Sequence, residues 1–432
     1  MENNPQNQVI SEKTITESAK KQALNPEKTS KTTESKGKED EKPKVQKNNS
    51  SVEPRIVLLE RYLTKKYDLR INVIESVMES KLKHEKQYSP VKDEAIVCEL
   101  FEYGFTRFKD ELRALMAAKI PEYDPIKEYF DSLPKWDSTT DHIADLASFV
   151  QTDDQAWFVR MYRKHLVRIV GQALNMIPFN KHCLTFVGKQ NDGKTSFWDF
   201  HAPPNLRKFY KKGYDFHSGK EGKISLVQNF LINLDELAQF DKKDLNNEFK
   251  SVLSEASVKY RILYKSVETA IPRRASFVAS TNQKEFLTDE TGNVRWIPFV
   301  VKSINHDNGG KNGYEGMINI DQVWGQAYEL LKSGFHHQLT SDEQNQQEIL
   351  NKPFFKLTYE MDIVDAYVVP ATKLENGATF MTMASLAAYL SKVQEVKLNA
   401  VQLGRALAKS KFEKISSREL GYPCYGFYIK FR

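Results

Sequence analysis

The 432-residue chain has few cysteines, no long apolar run and no aromatic residue in its first 53 positions. Each shortage excludes something. The three cysteines, Cys98, Cys183 and Cys424, lie far apart, which leaves no disulfide framework and no paired-cysteine metal knuckle. A reducing, cytoplasmic setting suits such a chain. No apolar stretch approaches the roughly 20 residues that a membrane-spanning helix needs, so no membrane association is expected. Met1 to Ile10 lacks the apolar core of a secretory signal. The nine histidines form no spaced ligand set, His336 and His337 being a lone pair, so no metal other than one held by oxygen ligands is expected. No GxSxG elbow of a serine hydrolase occurs.

The first 53 residues carry ten lysines against nine acids, and only nine apolar residues. Such a segment cannot bury enough apolar surface to offset its ordering entropy and reads as a disordered arm. Most of the net charge of +6 therefore belongs to residues 54–432.

Residues 54–150 read as a small mixed or helical lead-in domain. Ile56 to Leu63 suggest a helix face, Tyr67 to Glu75 alternate like a strand, and one helical run is expected from Glu94 to about Lys119. Pro125 opens a further helix to Leu133. Residues 154–176 form a long helix whose Arg160, Arg163, Lys164 and Arg168 read as a solvated basic face. Asn305 to Gly313 read as a loop, and residues 304–370 as a helical extension. Residues 371–432 read as helix, helix, hairpin (Met383 to Val393, Asn399 to Lys409, Glu413 to Ser417, Tyr425 to Phe431), the order of a winged helix.

The strongest signal lies in residues 151–303. The apolar run Cys183 to Val187 leads into Gly188-Lys189-Gln190-Asn191-Asp192-Gly193-Lys194-Thr195, which matches GxxxxGK[ST] and continues through Ser196 as a helix. Glycines let the backbone curl so that successive N–H groups point at phosphate oxygens. Gly188, Asn191, Asp192, Gly193, Lys194, Thr195 and Ser196 are the candidate nucleotide-binding residues, with Lys194 reaching the phosphates and Thr195 ligating Mg²⁺. A second apolar strand, Phe230 to Leu234, ends in Asp235 and Glu236, with Asp235 placed 41 residues after Lys194. Asp235 would hold Mg²⁺ and Glu236 would activate the attacking water. A third strand ends in Thr281-Asn282, whose amide can bond a phosphate or that water. Arg295 comes after a Gly-Asn turn, where an arginine can reach the nucleotide of a neighbouring subunit. The candidate catalytic set is Lys194, Asp235, Glu236, Asn282 and Arg295. The substrate is ATP, and the fold class is α/β.

This order of motifs resembles the superfamily 3 helicases of the AAA+ class. Within them it is most similar to the virulence-associated protein E family of mobile-element ATPases. The resemblance rests on Gly188 to Thr195, Leu231 to Glu236, Pro272 to Asn282 and Gly292 to Trp296, with Asp124 to Asp137 and Asp321 to Ala327 on either side. It covers roughly residues 120–370, and the C-terminal piece looks like the extra domain of Bacteroides-type members. Two positions depart from it. Asn191 stands where the family often has glycine, and Val294 where it often has the first of two arginines.

The resemblance implies a P-loop core with a helical N-terminal domain and a C-terminal winged-helix-like domain. It implies a ring, a hexamer by analogy, that moves single-stranded DNA during replication of a mobile element. It also implies a pore hairpin before the sensor strand, carried here by Arg261, Tyr264 and Lys265. The alternative is an ordinary sheet hairpin. On the tail, Gln402, Arg405 and Lys409 share one side of a helix that could contact DNA or dock a protein. Arg273 and Arg274 could face a neighbour's nucleotide or DNA, or bond internally. Primase activity within the chain is not expected, and a separate primase is a possible partner. A second reading keeps the ATPase but makes it a switch in anti-phage defence or regulation, without unwinding.

Overall fold

In the computed structural model the described residues are 53–91, 93–235, 237, 243–260, 268–287, 295–356 and 358–432. They form a mixed α/β structure built around four apolar clusters.

The first element is helix α1 (Arg55–Lys66), followed by strands β1 (Tyr67–Asn72), β2 (Val77–Leu82) and β3 (Ser89–Pro90). Helices α2 (Asp93–Glu102) and α3 (Lys109–Ala118) and strand β4 (Glu122–Tyr123) complete this part. The sheet order is β3-β2-β1-β4, with Leu59, Leu63, Met78, Leu100, Phe108 and Leu115 among the residues packed against it. The single helix expected over 94–119 is two helices. Gly104 takes φ +89°, a left-handed angle that ends the first. Strand β2 was not expected, because Val77-Met78-Glu79-Ser80-Lys81-Leu82 has little β-branched character.

Helix α4 (Pro125–Ser132) begins at Asp124, whose carboxylate accepts from Ile126 and Lys127 N–H. Then come α5 (His142–Ser148), β5 (Val150–Thr152) and the long α6 (Gln155–Ala173). Strand β6 (Cys183–Val187) leads into α7 (Lys194–Phe200), then β7 (Tyr210–Lys212), α8 (Lys220–Gln228), β8 (Leu231–Asp235) and α9 (Lys243–Ser254). The hairpin β9 (Ser257–Tyr260) and β10 (Thr269–Pro272) is followed by β11 (Ser276–Thr281) and β12 (Trp296–Ile304). The central sheet has the order β5-β12-β6-β11-β8-β7, with β12, β6, β11, β8 and β7 parallel and β5 antiparallel at its edge.

Alternation along these strands builds both faces of the core. Leu184, Phe186, Val278, Ile297 and Phe299 enter one cluster with α6, while Cys183, Val187, Phe277, Ala279 and Trp296 enter the other. The first cluster also takes in Ile126, Ile143, Val150 and residues of α10 (Tyr314–Met317) and α11 (Ile320–Lys332). Residues 126–150 thus share a core with the phosphate-loop strand.

The basic face expected on α6 is not solvated. Lys164 is buried with Nζ 2.7 Å from Glu343, which lies on α12 (Ser341–Asn351). Arg168 is fully buried and donates to the His337 carbonyl at 2.6 Å. Arg163 is ion-paired with Asp141, and only Arg160 is exposed. The segment joining α11 to α12, together with α12 itself, covers that side of the helix.

The C-terminal part contains α13 (Tyr359–Tyr367), β13 (Val368–Pro370), β14 (Thr379–Thr382), α14 (Met383–Val393), α15 (Ala400–Lys409), β15 (Ile415–Ser417) and β16 (Cys424–Phe431). Strand β16 pairs with β13, β14 and β15, and Met361, Val364, Leu386, Leu403 and Phe427 are among the residues of its core. No helix among the described residues is long and apolar enough to cross a membrane.

Candidate active site

Strand β6 is fully buried and delivers Gly188 to the carboxyl end of the sheet. A side chain at Gly188 would meet the Val301 carbonyl on β12 at 2.9 Å, so only glycine lets the loop pass this close. Asn191 adopts φ +65°, as its tolerance of left-handed angles allows, and Gly193 adopts φ +78° where α7 begins. Lys194 is buried, and its Nζ donates to the carbonyls of Gly188, at 3.1 Å, and Lys189. Burial lowers its pKa, and the carboxylates of Asp192 and Asp235 act in the opposite sense. Thr195 Oγ1 lies 3.0 and 3.1 Å from the two carboxylate oxygens of Asp235, to which it donates.

Strand β11 sits between β6 and β8, with the Gly188 N–H donating to the Thr281 carbonyl at 3.1 Å. Asn282 therefore emerges between the loop and Asp235. A cavity of about 630 Å³ joins these groups, lined by Lys194, Thr195, Asp235, Thr281 and Asn282 on one side. Asn191, Asp192, Gly193 and Ser196 also line it, whereas Gly188 does not. Sequence reasoning missed its other wall, which is His306, Asn308, Gly309, Tyr314 and Glu315. The only sequence signal there was a stretch rich in Asn, Asp and Gly.

The oxygen pair of Thr195 and Asp235 suits Mg²⁺, a hard cation that prefers oxygen ligands. A few protein oxygens completed by water and substrate phosphates are its usual setting.

Arg295 lies elsewhere. It precedes Trp296, which pairs with Cys183 at the start of β6, whereas the phosphate loop leaves the end of that strand. At about 3.3 Å per residue, five strand residues separate them by roughly 16 Å. Arg295 is thus not brought together with Lys194, Asp235 and Asn282 within one chain. Glu236, Arg261, Tyr264 and Lys265 lie outside the described residues. The flanking β9 and β10 pair antiparallel, Tyr260 with Thr269.

Arg273 and Arg274 both bond internally. Arg273 is fully buried, donating to the Val252 and Asn180 carbonyls at 2.8 and 2.7 Å. Arg274 pairs with Asp124 at 2.7 Å and donates to the Ala173 carbonyl. On α15, Arg405 is exposed and Gln402 half-buried, while the Lys409 ammonium lies over the Phe355 ring, 5.0 Å from its centroid.

Among solved structures the chain is similar to the C-terminal region of NrS-1 in its apo form. The identity is 12%, with 87% of this chain and 99% of that one covered and a TM-score of 0.49. It is also similar to SCCmec type IV Cch, an active helicase, at 14% identity, covering 80% of this chain and 73% of that one with a TM-score of 0.29. No curated protein matches the chain. The model of the virulence-associated protein E-like domain matches residues 130–356, more than half of the sequence, and the chain belongs to that family.

Proposed function

We propose that the chain is a Mg²⁺-dependent ATPase with a P-loop core of the AAA+, superfamily 3 helicase-like type. It acts as a ring-forming translocase on single-stranded DNA in the replication of a mobile element. The observation that carries the nucleotide reading is the cavity in which Lys194, the Thr195–Asp235 pair and Asn282 converge. The helix, strand, strand, helix, helix, strand, strand order of α13 to β16 supports a winged-helix-like tail.

Each residue then has a task. The curled loop presents backbone N–H groups to phosphate oxygens. Lys194 exchanges its carbonyl partners for the phosphates. Thr195 and Asp235 would hold Mg²⁺, which neutralises charge on the phosphates when bound. Glu236, next to Asp235 in sequence, accepts a proton from the attacking water, and Asn282 orients that water. The far position of Arg295 from its own cavity supports its use on a neighbour's nucleotide, which makes the active site a property of the interface.

The test is the rate of ATP hydrolysis with and without single-stranded DNA, for wild type and for Lys194→Ala, Glu236→Gln and Arg295→Ala. All three variants should lose hydrolysis, and DNA should stimulate the wild type. Full activity of Arg295→Ala removes the ring argument. An ATPase indifferent to DNA leaves the switch reading in its place.

A further inference from the structure

The wall of the cavity formed after β12 belongs to no phosphate motif, and it is chemically unlike the rest. We propose that the turn from His306 to Glu315 binds the nucleoside half of a ribonucleoside triphosphate whose phosphates lie in the Gly188–Thr195 loop. This rests on the nucleotide reading above and assigns the half of the site that reading leaves open.

Direction is the first argument. Lys194, Asp235 and Asn282 mark the terminal-phosphate end, and β8 and β11 lie on one side of β6. Strand β12 is the neighbour of β6 on the other side, and the turn leaves its end. A phosphate chain anchored at the first side leads toward the second.

The turn is also built to hold a shape. Asp307, Asn308 and Gly309 take φ values of 43°, 47° and 81°, three left-handed residues in succession. His306 Nδ1 accepts from the Asn308 N–H at 3.0 Å, and Asp307 accepts from the Asn312 N–H at 2.9 Å. The His306 ring lies against Gly193, its Cδ2 only 2.9 Å from where a Cβ would stand there. The two walls thus lie close against one another before any ligand arrives.

The chemistry is the third argument. Tyr314 is fully buried, its ring packed edge-on against Phe197 and Phe200 with centroids 5.4 and 5.1 Å away. Its hydroxyl has no hydrogen-bond partner among the described residues, although the residue lines the cavity. Buried hydroxyls seldom remain unpaired, and a ligand oxygen would satisfy this one. Burial, aided by Glu315 and Asp199, pushes its pKa up, so it stays protonated and donates. Glu315 repels phosphate but accepts hydrogen bonds from the hydroxyls of a ribose. The Asn308 side chain offers a donor and an acceptor to a base edge, and the His306 ring offers a flat surface.

The experiment is calorimetric titration, with Mg²⁺, of ATP, 2′-deoxy-ATP and inorganic tripolyphosphate into the full chain. Tyr314→Phe, Asn308→Ala and Glu315→Gln should each weaken ATP by about five- to tenfold, the worth of one good hydrogen bond. Tripolyphosphate binding should be unchanged in Tyr314→Phe and Asn308→Ala and no weaker in Glu315→Gln, which removes a charge that repels phosphate, and the preference for ATP over 2′-deoxy-ATP should shrink in Glu315→Gln. Tyr314→Phe keeps the packed ring, so its fold is not at stake. Wild-type affinity for ATP in all three variants, or equal loss of ATP and tripolyphosphate, overturns the proposal. A wild type that binds neither ligand overturns the nucleotide reading itself.

Discussion

Three buried histidines make the folded protein sensitive to mild acid. His201 lies just after α7 and is fully buried; its Nδ1 donates to the Phe197 carbonyl at 2.8 Å, and its Nε2 lies 2.5 Å from the Tyr162 hydroxyl. A carbonyl only accepts, so Nδ1 carries the proton and Nε2 accepts from Tyr162. This tautomer is assigned from the network. Burial lowers the His201 pKa to about 4. Burial and then the Arg168 charge hold His165 and His182 well below the ordinary value. Below pH 6.5 the unfolded chain therefore takes up protons that the folded chain refuses, and stability falls as pH falls. At pH 5.5 each ring costs on the order of 1 kcal/mol, a few kcal/mol for the three, against a typical total of about 5–15 kcal/mol. Urea midpoints followed by tryptophan fluorescence at pH 7.5 and 5.5 read this directly, in a window above the carboxylate titrations. His201→Gln should lower stability at pH 7.5 yet reduce the difference between the two pH values by about a third. A wild-type loss under about 1 kcal/mol, or an undiminished difference in His201→Gln, refutes the reasoning.

Other perturbations test the joints of the fold and the site. Asp124→Ala removes both the cap of α4 and the partner of the buried Arg274, and should cost about 3–5 kcal/mol in denaturant unfolding. Joining it to Arg274→Met should cost less than the sum of the two single changes. Gly193→Ala and Gly213→Ala, at φ +78° and +73°, should each cost about 1–2 kcal/mol by thermal melting. Only the first, where Cβ meets His306, should also abolish nucleotide-dependent stabilisation. Thr195→Val should raise the Mg²⁺ concentration for half-maximal hydrolysis by at least about tenfold, as loss of a positioned metal ligand does. An unchanged Mg²⁺ titration would remove Thr195 from the site.

Much of the core was legible because its strands are short apolar runs, each leading into a motif. Cys183 to Val187, Leu231 to Asp235 and Ser276 to Thr281 needed no tertiary context. Their lateral order did need it. That β11 lies between β6 and β8 is a long-range pairing that no local pattern encodes. The same limit hid the burial of Lys164 and Arg168, whose partners Glu343 and His337 lie some 170 residues later. Arg273 and Arg274 read as equally fit for outward and inward roles, and only their carbonyl and carboxylate partners distinguish the two. The turn at His306 was visible as a turn, but its wall of the cavity depends on the length of β12, which continues past the loop to Ile304.

That length has a consequence for how the site is laid out. Strand β12 is held by β6 along Trp296–Val300 and by β5 from Val301 to Ile304. Arg295 is fastened to its first residue, and the clasp on Gly193 begins just after its last. The strand's register shifts once, between Val301 and Ser303, where it passes from one partner to the other. The His306 clasp and Arg295 therefore stand at opposite ends of the strand, roughly 30 Å apart at about 3.3 Å per residue. The cavity wall at His306 and the position of Arg295 are thus two ends of one continuous strand.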